Sequence, residues 1–117
     1  MSRSQKQYLL DIIAAIEDAR SFVDGMTFRD LEDDLRTQYA LQRTFEIIGE
    51  ATKQISMSTR KRYPDVPWRA MAGMRDMLIH QYFAVNLEVV WDTIHTDFNR
   101  VEPQLKAIVE NLPNDTA

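Results

Sequence analysis

The sequence contains no cysteine, only three glycines and four prolines, and no long apolar run among its 117 residues. Without cysteine the chain has no disulfide, no thiol nucleophile and no thiolate metal site. Its apolar runs fall far short of the roughly 20 residues that a transmembrane helix requires. Charges also interrupt the N-terminal apolar positions at helical spacing, unlike those of a signal peptide. We therefore expect a cytoplasmic protein that is stabilised by packing and does not associate with membranes.

Length and composition indicate one compact domain. A chain of 117 residues can bury one hydrophobic core but is too short for two ordinary domains. Its 44% hydrophobic and 27% charged residues are typical of soluble globular proteins. We expect the domain to span residues 1–112 and the tail, residues 113–117, to fray. Two histidines without a matching group of carboxylates argue against a zinc site, and we expect no metal and no cofactor.

The charge is unevenly distributed along the chain. Residues 53–75 hold six basic residues and one acidic residue, a balance of +5, so the remainder carries −9 of the net charge of −4. A local excess of positive charge can attract phosphate even on an acidic protein. The alternative for the Arg60, Lys61 and Arg62 triplet is a solvated linker between helices. The charge pattern leaves both interpretations open.

Apolar residues recur at three- and four-residue spacing along nearly the whole chain, which predicts an all-α fold without strands. The first predicted helix covers residues 4–24 and ends before Gly25. The second begins at Thr27, where Thr27 and Asp30 have the spacing of a capping-box variant. It continues to Ile55, either as one long helix or as two helices joined by a bend.

The second half of the chain is punctuated by prolines. The periodicity stops over residues 56–67, where two prolines exclude a continuous helix and a loop is expected. Pro67 suits the first turn of a third helix that runs to about residue 83. Asn86 is placed to cap a fourth helix, in which Pro103 predicts a kink or a break.

The third predicted helix separates its apolar residues from a group of polar ones. Asp76 and His80 lie one turn apart and away from the apolar face, so His80 is not predicted to be a core histidine. Phe83 lies on the same side, which suggests a partner surface and hence a dimer. Tyr82 is nearly in line with Arg75, and its hydroxyl is expected beside the guanidinium. The apolar face consists of Met71, Met74, Met77 and Leu78.

Arg75 and His80 have side chains suited to phosphodiester cleavage without a metal. Histidine exchanges protons near neutral pH, and arginine offers a permanent charge with a planar fork of donors for phosphate oxygens. His80 would move the proton of a ribose 2′-hydroxyl or of the leaving oxygen, Arg75 would stabilise the developing charge, and Asp76 could orient the imidazole. Separate acid and base roles would require a second histidine across a symmetric interface. From spacing alone, a surface salt bridge is the competing interpretation.

Several motifs in the same order resemble one known family. Residues 75–82, RDMLIHQY, fit the signature RxxxxHxY, and residues 48–51 read IGEA. Pro67-Trp68, Ala72-Gly73-Met74 and Trp91 surround these motifs. In this combination, which covers most of the chain, the sequence resembles the HepT branch of the HEPN superfamily.

The resemblance implies an up-and-down bundle of four to five helices, the HEPN fold, and a ribonuclease toxin that acts on transfer or messenger RNA. It implies that Arg75 and His80 are catalytic and that the protein is a homodimer or a larger assembly of dimers. It also implies that a cognate minimal nucleotidyltransferase antitoxin adds AMP groups to Tyr82. Such groups would place bulk and negative charge beside Arg75 and block an RNA phosphate.

Residues of the second predicted helix are candidates for supporting roles. Glu46 and Glu50, one turn apart, either reach Arg75 or form a structural pair on the helix. Arg43 either contacts RNA or pairs with Glu46. Gly49 is expected to permit close approach of another helix.

Two other functions compete with the ribonuclease hypothesis. A non-catalytic helical protein could bind a nucleotidyltransferase or a nucleotide through the same polar surface. A helical scaffold without a ligand would make the polar cluster incidental. Loss of RNA cleavage on His80→Ala would favour the ribonuclease, whereas weakened complex formation without detectable cleavage would favour the binding protein.

Overall fold

The computed structural model describes residues 3–76 and 86–112, and within these ranges it contains helices and turns but no strand. This confirms the all-α prediction. Residues 74–76 are also helical. His80, Tyr82 and Phe83, the remainder of the predicted third helix, and the predicted frayed tail lie outside the described residues. The elements are α1 (Gln5–Phe22), α2 (Phe28–Glu32), α3 (Leu35–Lys53), α4 (Met57–Arg62), α5 (Trp68–Ala72), α6 (Leu87–Asp92), a π-helical turn (Thr93–Asp97) and α7 (Phe98–Asn111).

The first half of the chain is punctuated by helix caps. Ser4 caps α1 in a capping box, and Gly25, with φ +76°, lies in the turn that follows. Thr27 and Asp30 form the predicted capping box at the start of α2. Asp34 then caps α3 by accepting a hydrogen bond from the backbone N–H of Thr37. Of the two alternatives that the sequence allowed for residues 27–55, one long helix or two helices, the structure has two helices, joined by a turn.

The predicted loop over residues 56–67 is partly wrong, because α4 forms within it. The side chain of Ser56 caps this helix by accepting a hydrogen bond from the backbone N–H of Thr59. The prediction failed because a helix of six residues is too short to show an apolar repeat. The helix ends at Arg62, before Pro64, which confirms the prediction that prolines exclude a continuous helix over residues 56–67.

The predicted third helix begins at Trp68 as expected but is not continuous. α5 ends at Ala72, and Gly73 forms a turn before helical residues 74–76. The low helix propensity of glycine explains why the chain turns there. Trp68 is buried, and its indole N–H donates to the carbonyl oxygen of Tyr63 at 2.9 Å.

Asn86 caps α6 as predicted, by accepting hydrogen bonds from the backbone N–H groups of residues 88 and 89. The prediction that the helix could break at Pro103 is wrong, because Pro103 lies inside α7. The helix continues because its buried apolar side chains offset the roughly 3 kcal/mol that an internal proline costs. The irregular turn lies earlier, in the π-helical residues Thr93–Asp97.

α1 packs against both α3 and α7, and the core lies between these three helices. Phe45 of α3 and Phe98 of α7 are fully or almost fully buried, with ring centroids 5.7 Å apart. The apolar stripe predicted for the first helix is confirmed, because all of its members are buried: Leu9, Ile12, Ile13, Ile16 and Val23. None of the described helices is long and apolar enough to cross a membrane.

One acidic side chain lies in the protein interior. Glu102 of α7 is 6% exposed and forms an ion pair with Arg20 of α1. Lys106, one turn further along α7, lies 3.3 Å from the second carboxylate oxygen of Glu102. The two cations compensate the charge that burial would otherwise penalise.

Candidate active site

The site is built where α3 meets the segment that follows α5. Gly49 lies on the buried side of α3 and contacts the backbone around Arg75. A Cβ atom on Gly49 would lie 2.8 Å from the backbone nitrogen of Arg75 and 3.3 Å from the carbonyl oxygen of Ala72. The close helix approach predicted for Gly49 is therefore confirmed.

Two ion pairs join α3 to residues 75 and 76. Oε1 of Glu50 lies 2.7 Å from Nε of Arg75, and Nζ of Lys53 lies 3.4 Å from Oδ1 of Asp76. Glu50 and Lys53 are three residues apart, so they project from neighbouring positions on the same helix. Each of two consecutive residues is thus paired with a side chain of opposite charge on α3.

The Glu50–Arg75 pair orients the guanidinium without burying it. The carboxylate contacts the Nε side of the group, and the Arg75 side chain remains 40% exposed. Glu50 is 47% exposed, so the pair lies at the protein surface, within reach of a ligand from solvent. A partly exposed guanidinium held in one orientation is suited to bind the oxygens of a phosphate.

The structure brings together three of the five predicted site residues: Arg75, Asp76 and Glu50. Asp76 is 53% exposed and paired with Lys53, which the sequence did not indicate as its partner. The other two, His80 and Tyr82, lie outside the described residues.

Glu46 has a different partner from Glu50. Its Oε1 lies 2.8 Å from a terminal nitrogen of Arg43 on the same helix, so of the two alternatives for Arg43 the structure shows the pairing with Glu46. Of the two carboxylates considered for Arg75, the structure pairs Glu50 with it.

A groove between α1 and α3 borders Glu50. Tyr8 and Asp11 of α1 line one side, and Ile47 and Glu50 of α3 line the other together with Gln54, the residue that follows α3. Nothing in the sequence distinguishes Tyr8 or Asp11, because only the packing of α1 on α3 brings them near the site. In sequence they are ordinary half-exposed positions on an amphipathic helix.

His95, the second histidine, lies on the π-helical turn and is exposed. Its ring stacks on Trp91 with centroids 4.0 Å apart, and its Nδ1 lies 2.8 Å from the Trp91 carbonyl oxygen. Across residues 3–76 and 86–112, no group of three or more histidine and acidic side chains is arranged to hold a metal ion.

Comparison with known proteins places the chain in a family. The family model described as Ribonuclease HepT-like matches residues 12–110. The chain belongs to the HepT-like ribonuclease family. The matched residues of this HepT-like chain include Gly49, Glu50, Arg75 and Asp76, and also the positions of His80 and Tyr82.

Relatives of this HepT-like chain match over most of its length. A protein of Thermococcus cleftensis named "Probable ribonuclease HepT" is 46% identical over 96% of this chain and 98% of its own length. Two proteins of Methanocaldococcus jannaschii that carry RNase in their names are 40% and 36% identical, over 90% and 94% of this chain and 84% and 95% of their own lengths. No solved structure matches the chain.

Proposed function

We propose that this chain is a metal-independent endoribonuclease, the toxin of a toxin–antitoxin pair, with Arg75 and His80 as its catalytic residues. The observation that carries the proposal is the ion pair of Arg75 with Glu50, which orients the guanidinium while leaving 40% of the side chain exposed. Membership of a ribonuclease family supplies the reaction class. The substrate class is transfer or messenger RNA.

In the proposed reaction a ribose 2′-hydroxyl attacks the adjacent phosphorus. His80 accepts the hydroxyl proton, and Arg75 stabilises the negative charge that develops on the phosphate oxygens. The bond from phosphorus to the 5′-oxygen breaks, and that oxygen takes up a proton from the histidine of a second protomer. The products are a 2′,3′-cyclic phosphate and a 5′-hydroxyl, and no water enters this step.

Glu50 and Asp76 have supporting roles in this proposal. Glu50 holds Arg75 by its Nε at 2.7 Å, which reduces the freedom that the guanidinium would lose on binding phosphate. Asp76 precedes His80 by four residues and would orient its imidazole. Lys53 lies 3.4 Å from Asp76 and would hold its carboxylate in place.

Regulation would act on Tyr82, seven residues after Arg75. A cognate minimal nucleotidyltransferase antitoxin would transfer AMP groups to its hydroxyl, and the added negative charge would occupy the phosphate position beside Arg75. The active form would be a homodimer or an assembly of dimers in the cytoplasm.

The test of catalysis is cleavage of a defined RNA in the presence of a chelator. Wild type should cleave and leave a 2′,3′-cyclic phosphate, whereas His80→Ala and Arg75→Ala should lose cleavage while keeping the circular dichroism spectrum of wild type. Equal cleavage by wild type and His80→Ala would exclude the catalytic assignment. Complex formation with a nucleotidyltransferase that is lost in both variants, without cleavage by wild type, would favour the non-catalytic binding protein.

The test of regulation is the mass of the protein after coexpression with the nucleotidyltransferase. Wild type should gain one or more AMP groups on Tyr82, and Tyr82→Phe should gain none. An unchanged wild-type mass would count against modification at this residue.

A further inference from the structure

Three basic side chains line an open, largely apolar groove on the surface formed by α4, α5 and the turn between them. Its basic side chains are Arg60, Lys61 and Arg69, and Pro64 and Pro67 form part of its apolar lining. We call it the basic groove; its open volume is about 700 Å³. It lies within the segment of residues 53–75, where the sequence concentrates positive charge.

The cations of this surface differ from most others in the protein. Arg3, Arg20, Arg29, Arg43 and Lys106 all have a carboxylate within 4 Å. In contrast, none of the carboxylates in the described parts of the chain forms an ion pair with Lys61, Arg62 or Arg69. Their charge is therefore available to an anionic ligand.

Arg62 lies over the ring of Tyr63, 5.8 Å from its centroid, and Arg60 also has a local structural role. Its guanidinium donates to the carbonyl oxygens of Thr52 and Ile55 at 2.7 and 3.2 Å, and so caps the end of α3. Lys61 lies in the last turn of α4, where a cation is favourable, but Arg69 comes from a different helix and lines the same groove. Each cation could compensate the dipole of its own helix from any position in the last turn. This role does not explain why Lys61 and Arg69 line the same groove.

The groove is connected to the proposed active site through both α3 and α5. Arg60 binds the end of α3, the helix whose Glu50 pairs with Arg75. Arg69 lies in α5, which packs against α3, and it precedes Arg75 by six residues in sequence. α3 and α5 thus carry residues of both the proposed active site and the groove, and an extended RNA bound at Arg75 would have the groove on the same pair of helices.

We infer that the basic groove binds the phosphate backbone of RNA next to the cleaved phosphate, an inference that rests on the proposed function. The groove has no exposed indole on which a base could stack, because Trp68 is 6% exposed and its N–H is bonded to Tyr63. Contacts to backbone phosphates position a nucleic acid without reading its bases. The groove thus supplies affinity and register for an extended RNA, and base selection lies elsewhere.

The test compares two double variants that remove the same charge. Lys61→Gln/Arg69→Gln alters the groove, and Arg29→Gln/Arg36→Gln removes two exposed cations from α2 and α3. Arg60 is left unchanged because it caps α3. The binding probe is a single-stranded 2′-O-methyl oligoribonucleotide, which cannot be cleaved by attack of a 2′-hydroxyl, and its affinity is measured by fluorescence anisotropy across a range of salt concentrations.

The slope of log affinity against log salt is negative, and for the groove variant we expect its magnitude to decrease by about 1.4. The variant removes two phosphate contacts, and each contact on a single strand contributes about 0.7 to the slope. The control variant should keep the wild-type slope. In cleavage assays the groove variant should raise KM for a long RNA without changing kcat. A dinucleotide, too short to reach the groove, should be cleaved equally by all three proteins.

Equal slopes and equal KM values for both double variants, in a protein that cleaves RNA, would overturn the groove assignment and leave the proposed function intact. Loss of nucleotidyltransferase capture in the groove variant, with RNA binding unchanged, would also overturn it and assign the surface to a protein partner. Failure of wild type to cleave any RNA would refute the proposed function, and the binding slopes would still decide whether the groove holds nucleic acid.

Discussion

Gly49 and Arg75 pack so closely that a methyl group on Gly49 would lie 2.8 Å from the backbone nitrogen of Arg75 and 3.0 Å from its Cβ. Both contacts are shorter than side chains normally tolerate, and one of them is to backbone, which cannot move without shifting the segment. The glycine therefore determines how near Arg75 lies to α3, and hence whether Glu50 can reach its guanidinium.

Gly49→Ala should destabilise the protein and reduce RNA cleavage. The steric cost of overpacking is about 1–3 kcal/mol, against a gain of up to about 1 kcal/mol from the helix propensity of alanine. The free energy of unfolding, measured in urea, should therefore fall. The control is Gly73→Ala, where the nearest atoms lie at 3.5 Å and φ is −77°, and which should gain about 0.4–1 kcal/mol. Changes of the same sign in both variants would contradict the packing argument.

Glu50→Gln should lower kcat while leaving the fold unchanged. The pair with Arg75 is exposed and contributes at most about 1 kcal/mol to stability, but loss of orientation at a reacting centre can reduce the rate by up to about 100-fold. Steady-state cleavage kinetics and urea unfolding measure the two effects separately. Glu46→Gln, one turn away and paired with Arg43, should keep the wild-type kcat. Equal kcat values for the two variants would exclude a positioning role for Glu50.

Asp34 should make stability depend on pH in the acid range. Hydrogen bonds from the backbone and hydroxyl of Thr37 hold the pKa of Asp34 below its usual value of 3.8. A group whose pKa is lower in the folded state stabilises the protein above the unfolded pKa, and this contribution is lost as pH falls through the folded pKa. The stability advantage of wild type over Asp34→Ala should therefore shrink below about pH 4. Urea midpoints at several pH values test this, and an advantage independent of pH would contradict it.

Arg20→Gln should destabilise the protein more than Arg3→Gln. Arg20 pairs with the buried Glu102, which would be left with Lys106 as its cation, at a cost of about 1–3 kcal/mol. Arg3 pairs with Asp11 at the surface, where the expected loss is about 0–1 kcal/mol. Thermal unfolding of both variants measures the difference. Similar losses would show that Glu102 is adequately compensated by Lys106 alone.

Local features were the ones that could be predicted without coordinates. The caps at Thr27 and Asn86 depend on hydrogen bonds within three residues, and the apolar stripe of α1 depends only on helical spacing. The pairing of Arg43 with Glu46 lies within one turn of one helix. α4 was missed because a six-residue helix carries too little periodicity to be recognised, and the break at Gly73 was missed because apolar spacing continues across it.

The sequence by itself determined the all-α class, the helix starts capped by Thr27 and Asn86, and the choice of Arg75, Asp76 and Glu50 as candidates. All of these depend on residue type and short-range spacing. Only the tertiary structure decided that Glu50, and not Glu46, contacts Arg75, that Lys53 pairs with Asp76, and that Glu102 is buried. The contact of longest range, between Arg20 and the buried Glu102, joins residues 82 positions apart. The packing of one helix on another determines which side chains meet.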